Sequence, residues 1–312
     1  MRTVNSKSTA RKIVSVFLLI AMAGAAVLYY TRHKDDFRLI SAISVDTLLV
    51  LLCLVLFNFL CYGLQLKVLT DHYGLNLTFA QWFGLSRLSG FTYLFLPFPS
   101  GASLKALYLK KSCGLRYSSF AASLAVASIV RLAVFSFFST VILLHIGDTG
   151  LFLTGIAGGV FIGTTFFLLF GDHIRVPYLS SLSPLIHILR EWQKMRQDRT
   201  MIVRLIVLNC LIFAESGLTI YFSFRTFSVD APILTCGIIL TFTTFSSMLK
   251  LVPADLGIKE GMFMGISNLF GIGLNEGFHA AALHRIIGTV LTLLLAPGFG
   301  HALFKKEISE DD

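Results

Sequence analysis

The run Leu249-Lys250-Leu251-Val252-Pro253-Ala254-Asp255-Leu256-Gly257-Ile258-Lys259-Glu260-Gly261 decides how this chain is read. It carries four charges, one proline and two glycines, yet it lies between two strongly apolar segments. A helix crossing lipid does not carry that composition in its middle, because proline removes a backbone donor and a charge in hydrocarbon is costly. The run therefore predicts a break inside the membrane, with one half-helix ending near Lys250 and another starting near Asp255. Irregular backbone persists at that depth only where protein buries it or a watery cavity touches it. The break is expected to form half of a substrate site.

Composition sets the class. The 312 residues are 55% hydrophobic and 14% charged, with 29 phenylalanines and a mean hydropathy of +0.78. That apolar surface is too large for a soluble domain to hide, so a polytopic membrane protein without a sizeable soluble part is expected. The net charge of +9 is assigned to loops facing anionic lipid. The basic residues lie in short segments between spans and form no aromatic-interleaved surface for nucleic acid. Cys53, Cys61, Cys113, Cys210 and Cys236 are odd in number and lack a CxxC pair, which predicts reduced thiols and no metal or disulfide framework.

In chain order, Arg2, Lys7, Arg11 and Lys12 precede an apolar run from Ile13 to Tyr30. It is read as a first span with a cytoplasmic N-terminus, the alternative being a signal peptide with Ala21, Ala23 and Ala25 near its cleavage site. Further spans are expected at Asp46 to Leu69, Ser118 to His145, Leu151 to Phe170, Met201 to Phe224 and Glu276 to Ala296. Two re-entrant pairs fall between them: Leu77 to Leu96 with Ser100 to Arg116, and Ala231 to Leu251 with Gly257 to Phe270. Ile186, Leu189 and Trp192 at helical spacing beside Arg190, Lys194 and Arg196 make 172–200 an amphipathic cytoplasmic linker on an anionic leaflet, the alternative being a solvated connection. Placing both termini in the cytoplasm collects most arginines and lysines on that side.

The strongest internal signal is a repeat. Leu96-Pro97-Phe98-Pro99-Ser100-Gly101 and Val252-Pro253-Ala254-Asp255-Leu256-Gly257 share a proline followed four positions later by glycine. Each leads through a polar half-helix to a mid-span arginine: Pro97 to Arg131 is 34 positions and Pro253 to Arg285 is 32. Upstream, Asn58 and Asn209 precede the two prolines. The fold expected is one all-α polytopic membrane domain over 1–312, with about six transmembrane helices and two re-entrant hairpins. Its repeats, 46–145 and 201–300, start three crossings apart and are therefore inverted, an arrangement that places a transport site between them.

An arginine at a helix centre costs about 2.5–3.5 kcal/mol on insertion scales, so Arg131 and Arg285 need compensation that lipid tails do not supply. Half-helix N-termini near Ser100-Gly101 and Asp255-Gly257 direct unpaired N–H groups and positive dipole ends to the same depth. Glycine at 101 and 257 lets an anion approach the backbone. Together with Lys259, Glu260 and Glu215, these residues form a candidate lipid head-group site. The competing readings are structural. Arg131 and Arg285 pair with Glu215 or Glu260 to lock helices, Asp255 is an N-cap, Lys259 balances Glu260, and Asn58 and Asn209 bond between helices. His279 and His284 do not share a helical face, and no cofactor or catalytic motif is in a supporting context.

The Pro97-to-Arg131 block, and Gly257-Ile258-Lys259-Glu260-Gly261 with downstream Arg285, resemble the lysylphosphatidylglycerol synthase transmembrane-region family over about residues 10 to 305. These flippase-like proteins are related to the membrane half of the bacterial multiple peptide resistance factor. The resemblance implies a bacterial inner (plasma) membrane protein that binds or moves lipid, such as an anionic phospholipid or an isoprenoid phosphate. It implies no enzyme, since the soluble synthase domain is not among these residues. Ala102 stands where the family usually has an acidic residue. Lys259 replaces a common arginine, which keeps the charge and loses bidentate phosphate contact. The expected function is a lipid flippase or lipid-binding transporter for an anionic head group. The alternatives are a non-catalytic accessory subunit for a cell-envelope enzyme partner and a membrane-embedded enzyme.

Overall fold

The computed structural model describes residues 43–95, 100–147, 151–170, 191–248, 255 and 257–310. The expected first span with its signal-peptide alternative, both proline breaks, most of 172–200 and the last two residues lie outside them. Among the described residues there is no strand. The long helices are α1 (Val45–Asp71), α2 (Phe79–Phe95), α3 (Ser100–Cys113), α4 (Tyr117–Ile146), α5 (Leu151–Phe170), α6 (Arg199–Thr226), α7 (Ile233–Ser247), α8 (Ile258–Leu269) and α9 (Leu274–Glu310). A short helix over 191–197 leads into α6. By length and composition, α1, α4, α5, α6 and α9 are able to cross a membrane. The other four have 17, 14, 15 and 12 residues, fewer than the ~20 that a span needs. The chain is an all-α polytopic membrane protein.

The order long, short, short, long occurs twice, in α1–α4 and in α6–α9, with α5 between. Packing follows the same order: α1 on α2, α2 on α3 and α3 on α4 in the first set, α6 on α7, α7 on α8 and α8 on α9 in the second. The sets are interleaved, because α1 packs on α6, α2 on α9 and α4 on α7. Among the described residues α5 is peripheral, its contacts being mainly with α4.

A polar seam joins the sets. Asn58 Nδ2 donates to Ser216 Oγ at 3.0 Å and Gln65 Nε2 donates to Asn209 Oδ1 at 3.0 Å. As the α1 number rises the α6 number falls, so these helices run antiparallel. Exchanging Asn58 with Asn209 and Gln65 with Ser216 turns one pair into the other, with donor and acceptor reversed. At the end of the same seam His72 Nδ1 meets Asp198 Oδ2 at 2.7 Å, and the Asp198 side chain caps α6 by accepting from the Met201 N–H at 2.9 Å. Interhelical hydrogen bonds in membranes contribute about 0.6 kcal/mol each, at most about 1.7. Their larger effect is to fix register, since a slip would strand buried polar groups.

α2 and α3 pack as an antiparallel pair. Ser100 Oγ lies 3.4 Å from the Thr92 carbonyl, and Gln81 faces Tyr108 at the far end. A Cβ on Gly101 would stand 2.4 Å from the Ser89 carbonyl oxygen. The close approach that glycine permits at 101 is thus taken up by the neighbouring helix rather than left open to a ligand.

Two elements differ from the sequence reading. α9 does not stop at Ala296 but continues through Pro297. Phe299 packs on Phe83 at 5.1 Å, and Leu303 is buried against the same core. That packing offsets the backbone bond proline removes. In the 191–197 helix, Trp192 and Met195 are buried against α4 and α6 residues such as Val126 and Leu205. Its apolar face therefore turns to the bundle instead of resting on a leaflet.

Gly101→Val is expected to lower the thermal midpoint in detergent by an amount matching about 1–3 kcal/mol of overpacking, whereas Gly159→Ala, with nothing within 4 Å of its Cβ, leaves it unchanged. The hydrogen bond from Met201 and that with His72 hold the Asp198 carboxyl below the usual carboxylate range. Its stabilisation is present at neutral pH and is lost as pH falls through the lowered value. Asp198→Asn should reduce the midpoint at pH 7 and flatten the loss that the unaltered protein shows below about pH 4, read by thermal unfolding across pH.

Candidate functional site

The interior carries three polar clusters, and they divide the expected site residues among them. The first surrounds Arg131 of α4. Its Nη2 donates to Gln65 Oε1 at 2.9 Å and its Nε to Asn209 Oδ1 at 3.4 Å, while the guanidinium lies 4.7 Å from the centre of the Tyr62 ring. Asn209 is anchored by donating from Nδ2 to the Leu205 carbonyl at 2.7 Å. The seam therefore holds Arg131 through two amide oxygens and an aromatic face. Among the described residues no carboxylate pairs with it, so its charge is solvated by dipoles but not neutralised.

The second cluster lies at the start of α8. Gly257 caps the helix at φ +80° with no atom within 4 Å of a Cβ position, so glycine serves the left-handed backbone there. Glu260 reaches back to accept the Gly257 N–H at 2.8 Å and also pairs with Arg285 Nε of α9. Arg285 Nη2 lies 3.4 Å from the Asp255 carbonyl oxygen. Asp255 is 2% exposed, sits at φ +51°, and has an Oδ1 without a hydrogen-bond partner. Tyr93 of α2 stands within reach of its carboxyl group.

Lys259 makes no hydrogen bond or ion pair with the described residues. It lies within electrostatic range of Arg285, Asp255, Glu260 and Arg131. Its side chain is exposed. The N–H groups of the first α8 turn after the cap have no acceptor within the helix. Lys259 and these donors bring positive charge to the start of α8, where the Asp255 and Glu260 carboxylates also lie.

The third cluster centres on Glu215, which is 4% exposed in α6. Its carboxylate accepts from Asn58 Nδ2, Ser216 Oγ (2.9 Å) and Thr219 Oγ1 (2.7 Å). No arginine or lysine pairs with it among the described residues, and it acts as part of the α1–α6 seam. Ser100 and Gly101 belong to the α2–α3 packing described above, so the two half-helix starts are not equivalent. The two mid-span arginines also differ, because Arg285 has a carboxylate partner and Arg131 does not.

The candidate residues also omit Arg87 of α2. It is 6% exposed, its guanidinium stacks 3.6 Å from the centre of the Phe59 ring, and its Nε has no hydrogen-bond partner. Its signal was an arginine inside an apolar run. Tyr62 and Tyr93 gave no sequence signal, since tyrosines are ordinary in spans. Among the described residues no group of three or more His, Cys, Asp or Glu side chains is placed to hold a metal ion.

Fold and interior together define an integral membrane protein with a cation-bearing core. The chain belongs to the lysylphosphatidylglycerol synthase TM region family, whose model matches residues 10–296. That family is a membrane domain associated with lipid, flippase-like function. A search of curated proteins gave no match.

Glu260→Gln keeps an acceptor for the Gly257 N–H and removes the charge opposite Arg285. Breaking one side of a buried pair costs about 3–5 kcal/mol, and with 16% and 14% exposure of the two side chains the lower end applies. Thermal unfolding should show that loss, and Arg285→Met in the same chain should recover part of it.

Proposed function

We propose that this protein binds an anionic lipid head group within its bundle and carries it between leaflets. The observation that carries this reading is Arg131, held among the described residues only by amide oxygens and an aromatic ring, with the exposed Lys259 at the start of α8 as a second cation. An interior of low polarity does not keep a charge such as that of Arg131 without a purpose, because it costs several kcal/mol. A phosphate supplies the missing counter-charge and accepts from the orphan N–H groups of α8. The lipid tails remain in the bilayer.

The antiparallel seam and the repeated helix order support inverted repeats over 46–145 and 201–300, with α2–α3 and α7–α8 as re-entrant hairpins. Such repeats alternate access by rocking about a site between them. The basic segment around Arg196, Arg199 and Arg204 belongs on the cytoplasmic side of an inner membrane, and both termini with it. In this reading the protein transports and does not transform its lipid.

The test is reconstitution into vesicles with labelled phosphatidylglycerol or a labelled isoprenoid phosphate in one leaflet. Arg131→Ala and Lys259→Ala should each slow movement at least about tenfold, the equivalent of about 1.4 kcal/mol, while Arg131→Lys retains part of the rate. Variants as fast as the unaltered protein would overturn the assignment. Absence of movement together with a stoichiometric co-purifying enzyme would instead favour an accessory role.

A further inference from the structure

A cavity of about 870 Å³ lies away from Lys259, between α4, α5 and α6. Its walls are apolar, with Ala133 and Phe137 from α4, Phe161 from α5 and Ile206 from α6. Phe137 is 44% exposed and α5 is the peripheral helix, so the cavity opens sideways to the lipid-facing surface. Its mouth is polar, formed by Arg196, Gln197 and Arg199.

The depth identifies the occupant. The lining on α6 begins at Arg199 and reaches Cys210, a run of about 16 Å at 1.5 Å per residue. That is about half of a ~30 Å hydrocarbon core, the depth of one leaflet. Val130 and Cys210 are the chain neighbours of Arg131 and Asn209, and on α4 the lining continues beyond them to Phe137, which packs on Phe161 of α5, and to Phe138, which stacks on Phe213. The groove therefore runs from one membrane surface past the level of the Arg131 triad.

The mouth is built to hold an anion. Arg196 Nη1 donates to the Leu168 and Leu169 carbonyls at the end of α5, at 2.8 and 2.5 Å, which fixes that side of the opening. Arg199 is exposed and has no hydrogen bond or ion pair with the described residues. The nearby Asp198 carboxylate is turned to His72 and the Met201 N–H. We propose that this groove seats one anionic phospholipid of the adjoining leaflet. Its phosphate lies at Arg199 and Gln197 and an acyl chain fills the groove past Cys210 to Phe137 and Phe161. This seat goes beyond the transport reading, since its occupancy is measurable whether or not lipid crosses the bilayer.

The test is native mass spectrometry of the full chain taken from nanodiscs of equal dioleoyl phosphatidylglycerol and dioleoyl phosphatidylcholine. The unaltered protein should retain one phosphatidylglycerol in preference to phosphatidylcholine. Arg199→Gln should reduce that preference about fivefold, the factor that roughly 1 kcal/mol per surface arginine represents. Ala133→Phe should abolish retention by filling the groove, and Ile206→Trp, at a half-exposed wall position, does the same with less strain on folding. In an Arg131→Ala background the retained phosphatidylglycerol should still depend on Arg199 and Ile206, so lost transport with that dependence intact would concern the central site alone. Equal retention of both lipids, or retention unchanged by Arg199→Gln and Ile206→Trp, overturns the proposal.

Discussion

The constraint on which the structure depends is that polar groups within a bilayer must find partners inside the protein. The α1–α6 seam meets it with Asn58, Gln65, Asn209, Glu215 and Ser216, each satisfied by a residue of the facing helix or by a neighbour on its own. Because the bonds map onto one another when the helices are exchanged, the seam fixes both direction and register. It also decides where Arg131 sits, since Gln65 and Asn209 are at once seam residues and the acceptors for the guanidinium. Architecture and electrostatics thus share the same side chains, and altering one alters the other.

Around that seam the two helix sets are alike in plan and unlike in charge. In the second set Glu260 neutralises Arg285 and simultaneously caps α8. In the first, Arg131 is left with amide and aromatic partners, and Arg87 with a phenylalanine ring and the Ser86 hydroxyl. The departure at Ala102, where the family resemblance leads one to expect an acidic side chain, agrees with this difference. The two mid-span arginines are therefore not equivalent, Arg285 being neutralised and Arg131 not. A guanidinium offered by dipoles keeps its capacity to bind an anion, whereas one already paired has largely spent it.

Much of this was legible in the sequence. The long helices follow from apolar runs of spanning length, and Leu151–Phe170 was bounded to the residue because charged and glycine-containing segments flank it. The charges of the interior were also visible, since Arg131, Lys259, Glu260 and Arg285 stand out in apolar surroundings. Partner choice was not. Whether Arg131 meets Glu215 or Gln65 depends on helix rotation and crossing, which hydropathy does not encode. For the same reason Gly101 read as open backbone, although Ser89 of the neighbouring helix occupies the space. The last span read as ending at Ala296 because the contacts of Phe299 and Leu303 beyond it arise only in the assembled bundle.

The interleaving of the two sets bears on how the chain is made. α2 packs chiefly on α9, so the surface it presents to Phe299 stays uncovered until the last helix leaves the ribosome. α4 likewise waits for α7, and α1 for α6. Neither set is a separable unit during biosynthesis, and a chain without α9 leaves Phe79 and Phe83 without their Phe299 contacts.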